Sequence, residues 1–344
     1  MSRDLVVERS TRASRIGSLV AIGGTVVLAL GPVLWEDAVL RMILQFSYLL
    51  ALAQMWNLLA GYAGLVSIGQ QAYVGIGAYA LLWLVNILGV NVLLAVLLAG
   101  LVAAVLSMPT AALVFRLRGG YFAIGTWVVA EVYRLLVANT TRLGGGSGAT
   151  IRVVGIDPTT RLFVTYWIAL GVAIASVLVS YLVLRSRLGL ALRAVRDREG
   201  AAPAVGIDVR RTKFIVYVLA STICGLTGSV IYLSLLRVQP AATFSVNWTA
   251  FMIFAVVIGG IGTIAGPIVG ALIFFMLQEW LADLGALYLV ILGVVAIVMV
   301  VKFPRGVWGY VVARWDVRLF PEQVRVRLPG SSAHRAPGRA GGGE

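Results

Sequence analysis

The chain is poor in the residues from which metal, redox and thiol sites are built. Its 344 residues include one cysteine and one histidine. A single cysteine, Cys224, cannot form an intrachain disulfide, and its place within an apolar run favours a buried, unreactive thiol. The histidine, His334, lies in a Ser/Pro/Gly/Arg-rich tail that we expect to be disordered. These counts exclude a metal site built from cysteine and histidine.

Charged residues are also scarce: they make up 12% of the chain, whereas hydrophobic residues make up 60%. Because soluble domains carry about 25% charged residues, this composition indicates a polytopic membrane protein. The formal net charge of +14 does not indicate nucleic-acid binding. The basic residues are concentrated in an N-terminal arm, one internal loop and a C-terminal tail, which is the distribution that membrane topology requires. We therefore expect anionic lipid as the first partner and no nucleic acid.

Apolar runs long enough to cross a bilayer recur along the chain. A crossing helix needs about 20 residues. The run that begins at Ile16 is long enough to be retained as a span, so we expect no cleaved signal peptide. We predict a span in each of the ranges 16–34, 40–60, 65–88, 92–115, 121–138, 163–184, 214–236 and 284–301.

A further apolar stretch, residues 248–280, is too long for one ordinary crossing. The positive-inside rule places both the arginine-rich N-terminus and the basic C-terminal tail in the cytoplasm, so this stretch must cross twice or enter and return. Its centre, GGIGTIAGPIVGA (259–271), favours a hairpin or a broken helix. The predicted fold class is an all-α transmembrane bundle of about 8–10 spans with glycine-broken or re-entrant segments.

One basic, polar segment, residues 186–212, separates two long apolar runs and belongs in the cytoplasm by the same rule. We predict that it forms a short amphipathic helix with a free apolar face, interrupted by Pro203 and ended by Gly206. Two interpretations stay open, which are docking into a groove of a partner protein and lying on lipid headgroups. The apolar residues at helical spacing are Leu188, Leu192 and Val195.

Recognisable catalytic sets are missing. The GGGSG run at 144–148 lacks the lysine of a phosphate loop, so we interpret it as a flexible loop and place any ATP hydrolysis on another subunit. Glu131 is the one clear acid within a predicted span, and Arg134 can pair with it. This favours an interfacial ion pair and leaves a substrate-facing or gating role open. So few charges within the spans argue against a self-powered, proton-coupled carrier.

The polar residues within the predicted spans are mainly neutral. Gln70 and Gln71 lie in a glycine-dense stretch, 61–80, where each glycine weakens a helix by about 1 kcal/mol relative to alanine. Close helix packing or an unwound segment lining a path would offset this cost, and the two are compatible. Glycines spaced by four in the second half predict a flat packing ridge: Gly262, Gly266 and Gly270. Our candidate path or gating residues are Gly64, Ser67, Gln70, Gln71, Thr126, Glu131, Gly262 and Thr263.

Four blocks carry a resemblance to a known family. They are WNLLAGYAGLVSIGQQAYVGIGAY (56–79), LRGGYFAIGTWVVAEVYR (117–134), SRLGLALRAVRDREGAAPAVGID (186–208) and GGIGTIAGPIVGA (259–271). In their order and spacing the chain resembles the permease subunits of ATP-binding-cassette importers for branched-chain amino acids, specifically the LivM-like member of the LivH/LivM pair.

The resemblance implies a permease subunit that is not an enzyme and binds no cofactor. It implies a homologous permease in a heterodimer, two ATPase subunits and an external solute-binding protein as partners. It also implies a bacterial or archaeal inner membrane, with both termini in the cytoplasm. Segment 186–212 would be the coupling helix that fits a cleft on the ATPase. The coupling positions are then Arg196, Glu199, Ala201, Ala202 and Gly206.

Departures from the family pattern leave the solute open. LGGGSG (143–148) replaces the usual Thr-Gly-Gly-Ser loop, Pro203 stands where an acid or alanine is more common, and KFPRG (302–306) replaces Phe-Arg-Pro-x-Gly. The alternatives are the same machinery for urea, short amides or a sugar, a secondary carrier working alone, and a scaffold or receptor without transport. The predicted divisions are a basic arm (1–15), a permease domain (16–310) and a basic tail (311–344), largely disordered at its end.

Overall fold

The computed structural model describes residues 6–8, 23–155, 157–281, 284–285, 287–303, 305–315 and 325–327. This part of the chain is almost entirely helical, which confirms the all-α prediction. Its strands are short: β1 (Val6–Glu8), β2 (Ala149–Thr150), β3 (Arg237–Val238) and β4 (Arg325–Arg327). Strand β1 pairs antiparallel with β4, and β2 with β3. His334 and most of the predicted arm and tail lie outside the described residues.

The helices follow one another with short connections. Residues 23–29 are helical, and α2 continues into a π-helical turn, Leu58–Tyr62. Short 3₁₀ turns cover Thr141–Leu143, Gly145–Ser147 and Ala202–Val205. The α-helices are α1 (Gly31–Leu34), α2 (Asp37–Asn57), α3 (Gln71–Asn86), α4 (Val92–Val114), α5 (Gly120–Ala138), α6 (Pro158–Arg185), α7 (Arg187–Asp197), α8 (Val209–Leu235), α9 (Pro240–Thr243), α10 (Val246–Gly259), α11 (Ala265–Leu281), α12 (Leu287–Lys302) and α13 (Gly306–Trp315).

Within the described residues, 6 helical stretches are long and apolar enough to cross a membrane: Asp37–Tyr62, Val92–Val114, Gly120–Ala138, Pro158–Arg185, Val209–Leu235 and Pro240–Gly259. They coincide with the predicted spans 40–60, 92–115, 121–138, 163–184 and 214–236 and with the first half of 248–280. Two shorter apolar helices, Ala265–Leu281 and Val290–Met299, follow. The predicted span 16–34 lies partly outside the described residues.

Helix α8 is the centre of the bundle. It packs against α2, α3, α4 and α6, and most of its side chains are buried. Helices α10 and α11 form a hairpin that packs against α2. The short helix α13 packs on this hairpin and continues past the predicted domain boundary at residue 310. The core therefore lies where α8 meets the first helices of the chain.

The predicted span 65–88 is only partly helical. Residues 63–70 form no helix, and α3 begins at Gln71. Gly64 has φ +68°, a conformation that costs other residues about 1–2 kcal/mol. The 16 residues of α3 are about 24 Å long, less than the 30 Å of a bilayer core. Close packing is confirmed at Gly77, which lies against the backbone of Gly225. The chain is unwound before Gln71, and whether this unwound segment lines a path stays a prediction.

The stretch 248–280 breaks at its glycines. Helices α10 and α11 are joined by residues 260–264, and a Cβ added to Gly270 would lie 1.8 Å from the carbonyl oxygen of Ala255. A Cβ added to Gly259 would likewise lie 1.8 Å from the carbonyl oxygen of Gly266, so the two helices touch at backbone distance. The predicted ridge of three glycines is corrected in one respect. Gly262 is not on a helix but in the turn, with φ +78°.

The bundle has two ends, which we name from their elements. The α7 end contains α7, the turn 260–264 and the start of α13, since Arg196 approaches Gly262 and Gly306 approaches Gly260 there. The sheet end contains β2, β3 and the end of α3, where Asn86 donates to the carbonyl of Thr150 at 2.8 Å and accepts from Arg152 N–H at 2.9 Å. The sheet end also holds the glycine run 144–148, which is ordered into a 3₁₀ turn.

We expect Cys224 to be unreactive toward thiol reagents in the folded protein. It is completely buried in α8, as its apolar surroundings predicted. A maleimide dye should label it only as the protein unfolds in detergent, which a heating experiment with dye fluorescence would show. Labelling of the native protein at the rate of an exposed thiol would contradict the burial.

Candidate functional site

The basic segment folds as a helix, a bend and a 3₁₀ turn. Ser186 Oγ accepts a hydrogen bond from Leu188 N–H at 3.1 Å and caps α7. The helix ends at Asp197, because Arg198 leaves the helical conformation at φ −151°. Pro203 therefore does not interrupt α7 but lies in the 3₁₀ turn. Gly206, at φ +79°, ends that turn as predicted.

The expectation that the apolar face of α7 is free is wrong. Leu192 and Val195 are buried, and α7 packs against α6, α8 and the π-helical turn of α2. The flanking spans supply the groove for this face from within the same chain. The segment instead exposes two large apolar side chains that lie outside the predicted apolar face. Leu190 on α7 is 67% exposed and Val205 on the 3₁₀ turn is 71% exposed.

The predicted coupling positions have different surroundings. The Glu199 carboxylate accepts a hydrogen bond from Lys213 Nζ at 2.7 Å, and its side chain stays mostly exposed. Ala201 and Gly206 are exposed, whereas Ala202 is buried. The Ala202 carbonyl accepts from Ile207 N–H at 3.2 Å, so this residue shapes the loop from inside. Their role in binding an ATPase stays a prediction.

Four of the candidate path residues surround the unwound start of α3. Thr126 Oγ1 of α5 accepts from Ile68 N–H at 3.2 Å, and Ser67 Oγ accepts from Gly69 N–H at 3.2 Å. Thr249 of α10 accepts from Gln71 N–H at 3.1 Å and its hydroxyl donates to the Gln71 side chain. The polar groups thus satisfy backbone donors that have no helical partner. The sequence did not predict a role for Thr249, because that role depends on the contact of Thr249 with α3.

Their burial separates the candidates further. Ser67, Gln70, Gln71 and Thr126 are buried within the chain, so their observed role is to hold the unwound segment. The side-chain oxygen of Gln70 has no hydrogen-bond partner among the described residues. Gly64, by contrast, is exposed in the preceding turn. A role for these residues along a path stays a prediction.

Glu131 lies apart from this cluster. It is on the exposed side of α5, and both its carboxylate oxygens accept from Arg134 Nε at 2.9 Å. The predicted ion pair is confirmed. The structure does not bring Glu131 together with the other candidate residues, and its gating role stays untested.

The remaining two candidates, Gly262 and Thr263, lie in the turn between α10 and α11. Thr263 Oγ1 accepts from Gly266 N–H at 3.0 Å and donates to the Gly260 carbonyl at 3.2 Å, which caps α11. The side chain of Asn57 reaches this turn from α2. It accepts from Gly262 N–H at 2.8 Å and donates to the Thr263 carbonyl at 2.9 Å. The sequence signal for Asn57 is a polar amide within an apolar run, one helical turn before Gly61.

A small cleft of about 80 Å³ opens between α2, α10 and α11, in the half of the bundle away from α7. Two neutral amides and several aromatic rings line it. The sequence patterns did not predict a role for these residues. They are Gln45, Tyr48, Leu49, Trp248, Phe251, Phe275 and Gln278.

Comparisons with known proteins cover most of this architecture. The family model described as branched-chain amino acid transport system, permease component, matches residues 38–300. The high-affinity branched-chain amino acid transport system permease protein LivM of Escherichia coli (strain K12) is 27% identical over 277 residues, covering 73% of this chain and 65% of that protein. The probable LivM of Methanocaldococcus jannaschii is 26% identical over 197 residues, 56% of each chain.

Part of the chain is also similar to sugar permeases. The ribose import permease protein RbsC of Escherichia coli (strain K12) is 35% identical over 111 residues, 30% of this chain and 34% of that protein. No solved structure matches the chain significantly. The chain spans 65% of the length of the LivM protein of Escherichia coli and 56% of the archaeal one.

Proposed function

Since the chain belongs to the family of permease components of branched-chain amino acid transport systems, we propose that it is the membrane-spanning permease subunit of an ATP-driven importer for these amino acids. The observation that carries the proposal is the family match over residues 38–300, which includes every helix from α3 to α11. The scarcity of charged residues in the spans agrees with it, because such a subunit needs no proton relay of its own.

The proposed partners are a homologous permease, two ATPase subunits and an external solute-binding protein. The ATPase docks on segment 186–212, where Leu190 and Val205 expose apolar surface beside a cluster of arginines. Closure of the ATPases pushes on this segment and tilts the spans, so that the path opens to the other side. Solute passes between the glycine-broken helices, and the binding protein supplies most of the specificity.

The proposed orientation places the α7 end in the cytoplasm of a bacterial or archaeal cell, together with both termini. Single cysteines test it in a Cys224→Ala background, since Ile261 in the turn of the hairpin and Leu284 after α11 are both exposed. Ile261→Cys should react with an impermeant maleimide only in inside-out vesicles, and Leu284→Cys only in intact cells. The reverse pattern would overturn the orientation, and reaction of both from one side would overturn the crossing of α11.

A second candidate cargo is a sugar, which the partial similarity to the ribose import permease favours. Competition separates the two cargoes. Uptake of labelled leucine by the reconstituted importer should fall when excess isoleucine or valine is added and should not respond to ribose. If ribose inhibits the uptake and the amino acids do not, the cargo is a sugar.

The proposed function is tested by purifying the tagged chain in mild detergent and reconstituting it with the subunits that come with it. We expect an ATPase and a second permease to co-purify, and leucine uptake that requires ATP and the binding protein. If the chain purifies alone and drives uptake from an ion gradient, it is a secondary carrier. If it purifies alone and moves no solute, the scaffold alternative holds.

A further inference from the structure

Several elements meet at the turn 260–264. The π-helical end of α2 approaches it from one side, since a Cβ added to Gly61 would lie 2.8 Å from Gly262 N. The start of α13 approaches it from another, since a Cβ added to Gly306 would lie 2.4 Å from Gly260 Cα. Backbone in such contact cannot shift on one side without moving the other. This also explains Gly306, the last residue of the KFPRG motif.

Asn57 fastens the turn to α2 with two hydrogen bonds to its backbone. Its amide oxygen accepts from Gly262 N–H at 2.8 Å and its amide nitrogen donates to the Thr263 carbonyl at 2.9 Å. The side chain is buried, and the missing Cβ of Gly61 leaves the room it occupies. One turn earlier on α2, Gln54 Nε2 reaches the Ile264 carbonyl at 3.5 Å. The hydrogen bonds of Asn57 and Gln54 therefore join the end of α2 to the hairpin α10–α11.

Arg196 brings the basic segment to the same place. A Cβ added to Gly262 would lie 2.8 Å from Nη1 and 3.3 Å from Nη2 of Arg196, and 3.3 Å from the carbonyl oxygen of Gly61. The guanidinium thus lies where α2 and α10 both end. Helix C-termini carry partial negative charge, which favours a cation there. Arg196 is on the last turn of α7, so α7 contacts the turn 260–264 through a charged side chain.

We propose that Asn57 is a positioning residue that, together with Arg196, transmits a displacement of α7 to α2 and to the hairpin α10–α11. The proposal rests on the proposed function, in which an ATPase moves α7. An amide is required at Asn57 because it donates and accepts at once. The π-helical turn beside it interrupts the regular hydrogen bonding of α2, and such turns are frequent at functional sites.

The test replaces Asn57 by leucine, which has a similar shape and neither hydrogen bond. The matched control is Asn86→Leu, because Asn86 makes the same kind of two-bond contact to backbone at the sheet end. Both variants are assembled with the ATPase and the binding protein in liposomes. The readout is leucine transported per ATP hydrolysed. We expect this ratio to fall about tenfold in Asn57→Leu, the range of a typical coupling energy, and to stay at the wild-type value in Asn86→Leu.

Arg196 supplies a second pair of variants that do not disturb the buried amide. Arg196→Ala should lower the same ratio, and Arg196→Lys should retain most of it, because lysine keeps the charge at the two helix ends. If Asn57→Leu fails to fold, the two Arg196 variants test the proposal instead. An unchanged ratio in Asn57→Leu or Arg196→Ala, with intact assembly, overturns the proposal. A parallel loss of ATP hydrolysis and uptake also overturns the proposal, because it indicates a structural defect. A wild-type complex without ATP-driven uptake instead refutes the proposed function.

Discussion

The ATPase subunit should dissociate from the Val205→Asp variant during purification, and nearly all ATP-driven uptake should be lost. Val205 is 71% exposed on the 3₁₀ turn of segment 186–212, where the partner is proposed to dock. A carboxylate there would put a charge into a surface that is proposed to bind by apolar contact, and such a change weakens binding by about 30-fold or more at a central interface position. The measurement is the amount of ATPase retained by the tagged permease in mild detergent, followed by uptake in liposomes.

The control for this prediction is Val154→Asp. Val154 is 88% exposed but lies at the sheet end, and the same change there should leave the bound ATPase unaffected. Gly206→Val should act in the same direction as Val205→Asp. The left-handed φ of Gly206 is costly for a β-branched residue, while the open space around it spares the rest of the fold. Full retention of the ATPase by Val205→Asp would show that the partner docks elsewhere.

The variant Gly270→Val should fail to fold stably. A Cβ on Gly270 would lie 1.8 Å from the Ala255 carbonyl oxygen and 2.7 Å from Gly259 N, so the clash is with backbone that cannot rotate away. Overpacking typically costs about 1–3 kcal/mol and occasionally more. We expect a fall of several degrees in Tm or loss of monodisperse protein, measured by the reaction of Cys224 with a thiol dye on heating.

Gly171→Val is the matched control, because Gly171 is also within a long helix, α6, and a Cβ there meets no atom within 4 Å. Its Tm should stay close to that of the wild type. A stable Gly270→Val protein would mean that α10 and α11 are farther apart than the structure shows.

The membrane class, most spans and the break in the stretch 248–280 could all be predicted from the sequence. Each depends on local properties: apolar run length, and glycines that weaken a helix where they cluster. The pairing of Glu131 with Arg134 was equally accessible, because residues three apart on a helix are neighbours. The start of α3 was misplaced, since the residues before Gln71 are apolar enough for a span but include glycines that disfavour a helix.

The remaining contacts depend on packing between residues that are distant in the sequence. The period of Leu192 and Val195 predicts an apolar face equally well whether its groove belongs to a partner or to the same chain, and here α6 and α8 cover it. Asn57 and Gly262 are 205 positions apart, and no local pattern relates them. Hydropathy and helix propensity are properties of neighbouring residues. The partner of a buried amide or an apolar face depends instead on which helices touch, and that exists only once the chain has folded.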